Sequence, residues 1–347
     1  MIELKHDSLV FTFPEVHPDA KLTIDFQRTL RIPDDGEDYP LPPGLGKFPL
    51  RHVDDFSKSV PAKWVEHGGV MLPMYQSEAL WLNFRSDYIE GHGTTYPFVI
   101  MVATGKVNAV TGKDWTDRLQ RDPQDYMVST EQPWLDGYCI EKGVIRQFVA
   151  MPLGTGYSAE EQITGKAEHG GIQIVVYPMK RSIFKKRFPK VERVSADMDV
   201  CFSLQMPSRV CEKGGDFDMG LAPGGRMKQE IYEDPFDLDD WQKNQRSRCF
   251  IHIANSLVWR AITNDSPPTV PFTSKEYTKH GLPWFEYYND NSTSLNGSGI
   301  LKGLKSVVQM GKGKKDKPLP ENESVTPGKI VGLRKGLKKN EVREGTF

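Results

Sequence analysis

Cysteines and long apolar runs are both scarce in this chain of 347 residues. No run approaches the ~18 apolar residues that a membrane-spanning helix requires, and the N-terminal residues lack the basic and apolar segments of a secretion signal. The four cysteines are scattered and form no CxxC pair: they are Cys139, Cys201, Cys211 and Cys249. Because this distribution favours reduced thiols, the sequence predicts a cytoplasmic protein without membrane insertion.

Motifs that identify a reaction are missing as well, including the G-x-S-x-G turn of a serine nucleophile. The segment GTGYSA matches the dinucleotide pattern G-x-G-x-x-A, which makes Gly154 and Gly156 candidates for cofactor binding. A capping box of Ser158 and Glu161 predicts a helix start there. The helix must end before Gly165, so at roughly 9 Å it is too short to return along a ~17 Å strand. The sequence therefore favours a tight glycine turn here, and it does not identify a cofactor.

Charge is unevenly distributed along the chain. The formal net charge is −1, but residues 302–347 hold 12 Lys/Arg against 5 Asp/Glu, so this tail carries +7 and the preceding body −8. Opposite charges predict that the basic tail contacts an acidic body, in the same chain or in a neighbour, which favours a homo-oligomer or a protein partner. Nucleic-acid binding is disfavoured, because the tail lacks interleaved aromatic residues for base stacking.

Short apolar runs bounded by Gly, Pro and Asp recur through the first half of the chain and predict strands. No helix longer than about three turns is visible among them, so crossover helices for parallel strands are missing. The sequence predicts an α+β protein that is predominantly β, with antiparallel, sandwich-like sheets. The predicted strands are Leu9–Phe13, Leu22–Phe26, Val70–Tyr75, Ala79–Phe84, Phe98–Ala103, Val144–Met151, Ile172–Tyr177 and Val200–Met206.

Three regions are predicted: a β-rich body over 1–206, a mixed α/β region over 207–300, and an amphipathic helix with a basic tail over 301–347. In the second region, Asp234 before a proline predicts a helix start for the acidic run that follows. A strand is predicted over Cys249–Ala254 and a short helix over Ser274–His280. The apolar stripe from Ile300 to Val308 predicts one helix, and a linker is predicted after it.

The strongest internal similarity joins two decapeptides, EHGGVMLPMY at 66–75 and EHGGIQIVVY at 168–177. Each copy follows a helix-like stretch and begins a strand-like run, which predicts two duplicated β units. In one interpretation, His67, His169, Glu66 and Glu168 converge as a catalytic or divalent-metal site, with both histidines as metal ligands.

The favoured interpretation of the two copies is structural: each Gly-Gly pair supplies positive φ angles or a bulge at a strand entry. Adjacent Glu and His residues on a strand point to opposite faces, which argues against a joint ligand set. Ligand binding at the two turns is the third interpretation.

Four blocks of the sequence resemble a group of uncharacterised bacterial proteins with no established activity: FQRTLRIPDDG, GGVMLPMYQSEALW, QPWLDGYCIEKGVIRQFVAMPLGTGYSAEEQITG and GLAPGGRMKQEIYED. The resemblance covers most of the chain and implies no fold, cofactor or catalytic residue. The sequence itself favours a non-enzymatic binding or self-assembly protein, because it holds no recognisable nucleophile, cofactor or metal motif. The alternative is an enzyme with a His/Glu site between the duplicated units.

Overall fold

The chain folds as a predominantly β α+β protein. A computed structural model describes residues 1–190, 217–289, 292–316 and 323–334. The strands, in chain order, are β1 (Ile2–Leu4), β2 (Leu9–Thr12), β3 (Lys21–Thr29), β4 (Asp38–Tyr39), β5 (Gly44–Lys47), β6 (Arg51–His52), β7 (Val70–Met74), β8 (Ala79–Ser86), β9 (Tyr88–Ile89), β10 (Thr94–Thr95), β11 (Phe98–Thr104), β12 (Val107–Asn108), β13 (Met127–Val128), β14 (Trp134–Leu135), β15 (Gly137–Glu141), β16 (Val144–Pro152), β17 (Ile172–Pro178), β18 (Met219–Lys228), β19 (Ser247–Asn255), β20 (Trp284–Tyr288) and β21 (Ile330–Arg334).

Two large sheets contain most of these strands. The first has the order β1-β2-β3-β8-β16-β18-β4, with β5, β14 and β15 added at its sides. The second has the order β12-β11-β17-β19-β7-β6, with β13 beside β11. Pairing is mostly antiparallel, as predicted, but β18–β4, β19–β7 and β20–β21 are parallel. Buried side chains from both sheets, such as Phe26 and Phe148 from the first and Ile174 and Ile253 from the second, form one hydrophobic core.

Short helices cover the outer faces of the sheets. They are α1 (Ala62–His67), α2 (Ala159–Thr164), α3 (Arg181–Arg187), α4 (Ser256–Thr263), α5 (Ser274–Lys279), α6 (Gly299–Lys302) and α7 (Val307–Lys314). Trp64 of α1 and Trp259 of α4 pack against Met71 and Ala254 on the outer face of the second sheet. None of the helices in the described ranges is long and apolar enough to cross a membrane.

The predicted strands and the short helix at 274 are confirmed wherever the structure describes them. The run Val200–Met206, like Cys201 and Cys211, lies outside the described residues. The capping box before α2 is also confirmed, because the Ser158 hydroxyl accepts the Glu161 N–H and the Glu161 carboxylate accepts the Ser158 N–H. β18 and β19, which follow residue 206, lie inside the two large sheets, so residues 217–255 share the core of the β-rich body.

Two helix predictions are wrong. Asp234 does not begin a helix, because its buried carboxylate accepts hydrogen bonds from the Tyr126 hydroxyl at 2.7 Å and the Trp241 indole at 2.8 Å. Only a 3₁₀ turn follows, at Leu238–Asp240. The apolar stripe near residue 300 is two helices, α6 and α7, because Ser298 and Ser306 each cap a new helix start. α7 also extends four residues into the predicted linker.

The described part of the basic tail packs on the body of its own chain. Val307 and Met310 of α7 cover an apolar patch on the first sheet. The Lys314 ammonium lies 4.9 Å from the centre of the Tyr157 ring and donates to the Thr155 carbonyl. Further along, β21 pairs with β20, beginning at Ile330. The described part of the tail therefore contacts its own chain through apolar, aromatic and backbone groups.

We expect deletion of residues 311–347 to lower the melting temperature by roughly 3 °C, the shift that ~2 kcal/mol produces in a chain of this size. The deletion removes β21 from the edge of β20 and the Lys314 contact with Tyr157. Calorimetry at low and high salt measures the effect, and light scattering on the same samples reports the native mass. An unchanged melting temperature would show that these contacts add nothing to stability.

Candidate functional site

The two EHGG copies meet on opposite sides of one strand. Ile251 of β19 pairs with Val70 on one side and with Ile172 on the other. β7 runs parallel to β19 and β17 antiparallel to it, so the two strands leave Ile251 in opposite directions, as around a local twofold axis. Both copies thus lie in a single sheet, and duplication of a larger unit stays a prediction.

The glycines of both copies adopt positive φ angles, which are 63° and 85° at Gly68 and Gly69 and 61° and 54° at Gly170 and Gly171. A Cβ atom on Gly69 would lie 2.1 Å from the Phe250 carbonyl oxygen. Each turn therefore presses its backbone against β19, where no side chain fits.

Aromatic rings form a ladder on the outer face of β19 beside these turns. Trp64 stacks on His252 with ring centres 4.6 Å apart, and His252 stacks on Phe250 at 4.3 Å. The His67 ring lies parallel to Phe250 at 4.7 Å, and His169 lies 6.3 Å from His67. The ladder therefore brings the two histidines of the copies together, and it adds a third histidine from the strand between them.

A buried carboxylate fixes the second turn. Glu160 of α2 accepts hydrogen bonds from the backbone N–H groups of Glu168, His169 and Gly170 at 2.8–2.9 Å. Its side chain also packs against Gly105. Gly105 and Lys106 both have positive φ and form the two-residue turn between β11 and β12, so this turn is brought to the same place.

Two lysines lie next to the histidines. Lys63 forms an ion pair with Asp218 at 2.5 Å. The Lys106 backbone N–H donates to the Gln173 side chain at 2.7 Å, which ties the lysine to the strand that follows the second copy. The exposed Lys106 ammonium has no hydrogen bond or ion pair to any residue that the structure describes. It places a positive charge beside two imidazoles, which also lie near the carboxylates of Glu66, Asp218, Glu160 and Glu168.

All three imidazoles favour the neutral form. Burial lowers the pKa of His67 and His169, and the nearby Lys106 ammonium lowers both further. Burial lowers the pKa of His252 to about 3. The His252 Nε2 atom lies 3.1 Å from the Gly68 carbonyl, which only accepts, so Nε2 carries the proton. At neutral pH the site therefore offers imidazole N–H donors beside a lysine ammonium.

The structure brings together some of the predicted site residues and separates others. His67 and His169 approach each other, and the Glu168 carboxylate lies 3.9 Å from His169 Nε2. Glu66 and Glu168 are both exposed, and Glu168 also pairs with Lys166 at 3.1 Å. Within the described residues, no group of three or more His, Cys, Asp or Glu side chains could hold a metal ion.

The glycine pair Gly154 and Gly156 forms a turn with φ angles of 94° and 79°. A Cβ atom on Gly156 would lie 2.9 Å from the Lys314 ammonium of the tail. The prediction of a tight turn fits this geometry, and the turn is in contact with a basic side chain of the same chain.

Sequence reasoning missed Lys106, Glu160, Phe250 and His252. The alternation in RCFIHIAN places Phe250 and His252 on one face of a strand, but nothing local assigns that strand to the space between the two copies. The run ATGKV between apolar segments is typical of a hairpin turn and marks Lys106 as exposed.

Comparison of the chain with protein-family models, with curated proteins and with solved structures finds no match.

Proposed function

We propose that this chain is a cytoplasmic, non-enzymatic binding protein that holds an anionic group between Lys106, His67 and His169. One observation supports this above the others: Lys106 is an exposed ammonium without a partner among the described residues, next to two neutral imidazoles. A site with a lysine ammonium and N–H donors suits an oxyanion such as a sulfate, phosphate or carboxylate group.

The surroundings supply the rest of such a site. The turn glycines let both turns lie close against β19, and Glu160 holds the backbone of the second turn in place. His67 stacks on Phe250, so the His67 ring offers an aromatic surface for a planar part of the ligand beside the anion. The site is therefore preorganised, which lowers the ordering cost of binding.

A catalytic alternative uses the same residues. A neutral imidazole is the form that accepts a proton, and His169 Nδ1 is buried without a hydrogen-bond partner in the described structure. For His169 to act as a base, a substrate bound at Lys106 must bring an acidic proton to this atom. Self-association through the basic tail remains part of the proposal and is tested by the native mass of the truncated chain.

We expect Lys106→Ala to weaken sulfate binding about 10-fold or more, because it removes a charge-assisted contact. Equilibrium dialysis with labelled sulfate at constant ionic strength measures this. Lys279→Ala, an exposed lysine on α5, is the matched control and should change the affinity less than ~2-fold. An equal loss of sulfate affinity in both variants would mean that binding depends only on the overall charge of the protein.

The pH dependence of sulfate binding provides a second measurement on the same samples. Sulfate stays a dianion, whereas protonation of His67 or His169 adds positive charge to the site. Because the pKa of both lies below 6.5, affinity should rise as the pH falls below that value. Affinity that is flat below pH 6.5 in the wild-type protein would remove the two histidines from the proposal.

A further inference from the structure

A cavity lies between the loop that follows β12 and the helices α2 and α6. Its volume is about 440 Å³. A larger groove of about 900 Å³ adjoins it and shares Thr111, Lys113 and Ile300 with its wall. Ile163 of α2 and Ile300 of α6 give the cavity an apolar side, and Asp125 lies on the polar side.

The loop that forms the polar side is held by one asparagine. The Asn108 side-chain oxygen accepts the backbone N–H groups of Val110 and Thr111 at 2.9 Å, and its amide donates to the Asp125 carbonyl at 2.7 Å. Asn108 thereby connects the two ends of the loop and fixes where Asp125 lies. The loop that lines the cavity therefore has a defined conformation.

Asp125 is a buried carboxylate on the polar side of the cavity. It is 6% exposed, and its carboxylate accepts a hydrogen bond from the Gln120 N–H at 2.9 Å. No lysine, arginine or histidine of the described ranges lies within ion-pair distance of it. Burial raises its pKa to about 6, so it is largely ionised at neutral pH. Buried carboxylates are normally compensated by a cation or by several donors.

We propose that this cavity binds a small organic cation, a primary ammonium on a short hydrocarbon chain. The ammonium pairs with the Asp125 carboxylate, and the hydrocarbon packs on Ile163 and Ile300. An ammonium supplies the missing positive charge and up to three N–H donors. The apolar wall favours an organic cation over a metal ion, and no cluster of three metal-binding side chains exists among the described residues.

Lys113 is a positively charged side chain in the wall of the same cavity. It lines the cavity, its own ammonium has no partner in the described residues, and its charge lowers the pKa of Asp125. It is the nearest competitor of a bound ammonium. Removal of the Asp125 charge and removal of the Lys113 charge should therefore change the affinity in opposite directions.

The test measures binding of n-butylammonium to the full chain by titration calorimetry. The neutral probe of similar shape is n-butanol. We expect Asp125→Asn to weaken butylammonium binding at least 10-fold and Lys113→Ala to strengthen it about 3-fold. Asp114→Asn, an exposed carboxylate at the rim, is the matched control, with a change below 3-fold.

Butylammonium and butanol binding with equal affinity would overturn the proposal, as would an Asp125→Asn protein that binds like the wild type. Should Asp125→Asn fail to fold, Ile300→Ser tests the same cavity at a half-exposed position. It should weaken butylammonium binding several-fold, and unchanged binding in that variant would also overturn the proposal.

Discussion

Gly69→Ala is expected to lower the free energy of unfolding by about 3 kcal/mol or more. The new Cβ atom would lie 2.1 Å from the Phe250 carbonyl oxygen, so the turn must move away from β19. The residue also keeps a φ of 85°, which costs a further ~1 kcal/mol for a side chain with a Cβ atom. Urea denaturation at pH 7 measures the loss.

Gly68→Ala is the matched control for this experiment. Gly68 has a similarly positive φ of 63°, but a Cβ atom there has nothing within 4 Å. With a ψ of −153°, its cost should be about 1–3 kcal/mol from the backbone alone and stay below that of Gly69→Ala. Gly171→Ala, where the Cβ atom would lie 2.4 Å from the Ile251 carbonyl oxygen, should resemble Gly69→Ala. Equal costs at Gly68 and Gly69 would contradict the close approach of the first turn to β19.

His252→Phe is expected to flatten the acid dependence of stability. The ordinary pKa of histidine, 6.5, falls to about 3 for His252 in the folded protein. Above pH 6.5 the group is neutral in both states and contributes nothing to pH dependence. Below pH 6.5, His252 is protonated in the unfolded chain but stays neutral in the folded protein. The free energy of unfolding therefore falls by about 1.4 kcal/mol per pH unit until the pH nears 3.

Denaturant curves for both proteins between pH 7.5 and 4.5 measure this difference. Phenylalanine preserves the stack with Trp64 and Phe250, and only the difference in slope between the two proteins matters for the test. Over the last two pH units the wild type should lose about 2.5 kcal/mol more than the variant. Parallel curves would show that His252 takes up a proton in the folded protein as easily as in the unfolded chain.

Local patterns predicted much of the fold. The apolar runs became β2, β3, β7, β8, β11, β16 and β17, because period-2 alternation and bounding turn residues act over a few positions. The identical EHGG segments correctly indicated two strand entries through glycine turns. The Asp234 prediction failed for a different reason. Its carboxylate binds Tyr126, 108 residues away in sequence, and such a tertiary contact overrides a local helix signal.

The candidate site depends on pairing that no local pattern reveals. Ile251 pairs with Val70 and Ile172, and these residues are far apart in sequence. The approach of His67 to His169 follows from that pairing, and so does the place of His252 in the ladder. Lys106 is brought to the second copy by the packing of Gly105 against Glu160 of α2 and by its backbone hydrogen bond to Gln173. The sequence named two of these side chains as candidates, and the sheet order supplied the others.

Histidine side-chain NMR during a sulfate titration tests the central claim most directly. The protein carries eight histidines, so each imidazole can be followed separately at pH 7 and constant ionic strength. The imidazole signals of His67 and His169 should shift together along one binding curve, and Lys106→Ala should abolish both shifts. The signals of His17 and His92, which lie in a separate aromatic cluster around Phe184, should stay in place. Shifts of similar size at all histidines, or none at His67 and His169, would contradict an anion site at the two turns.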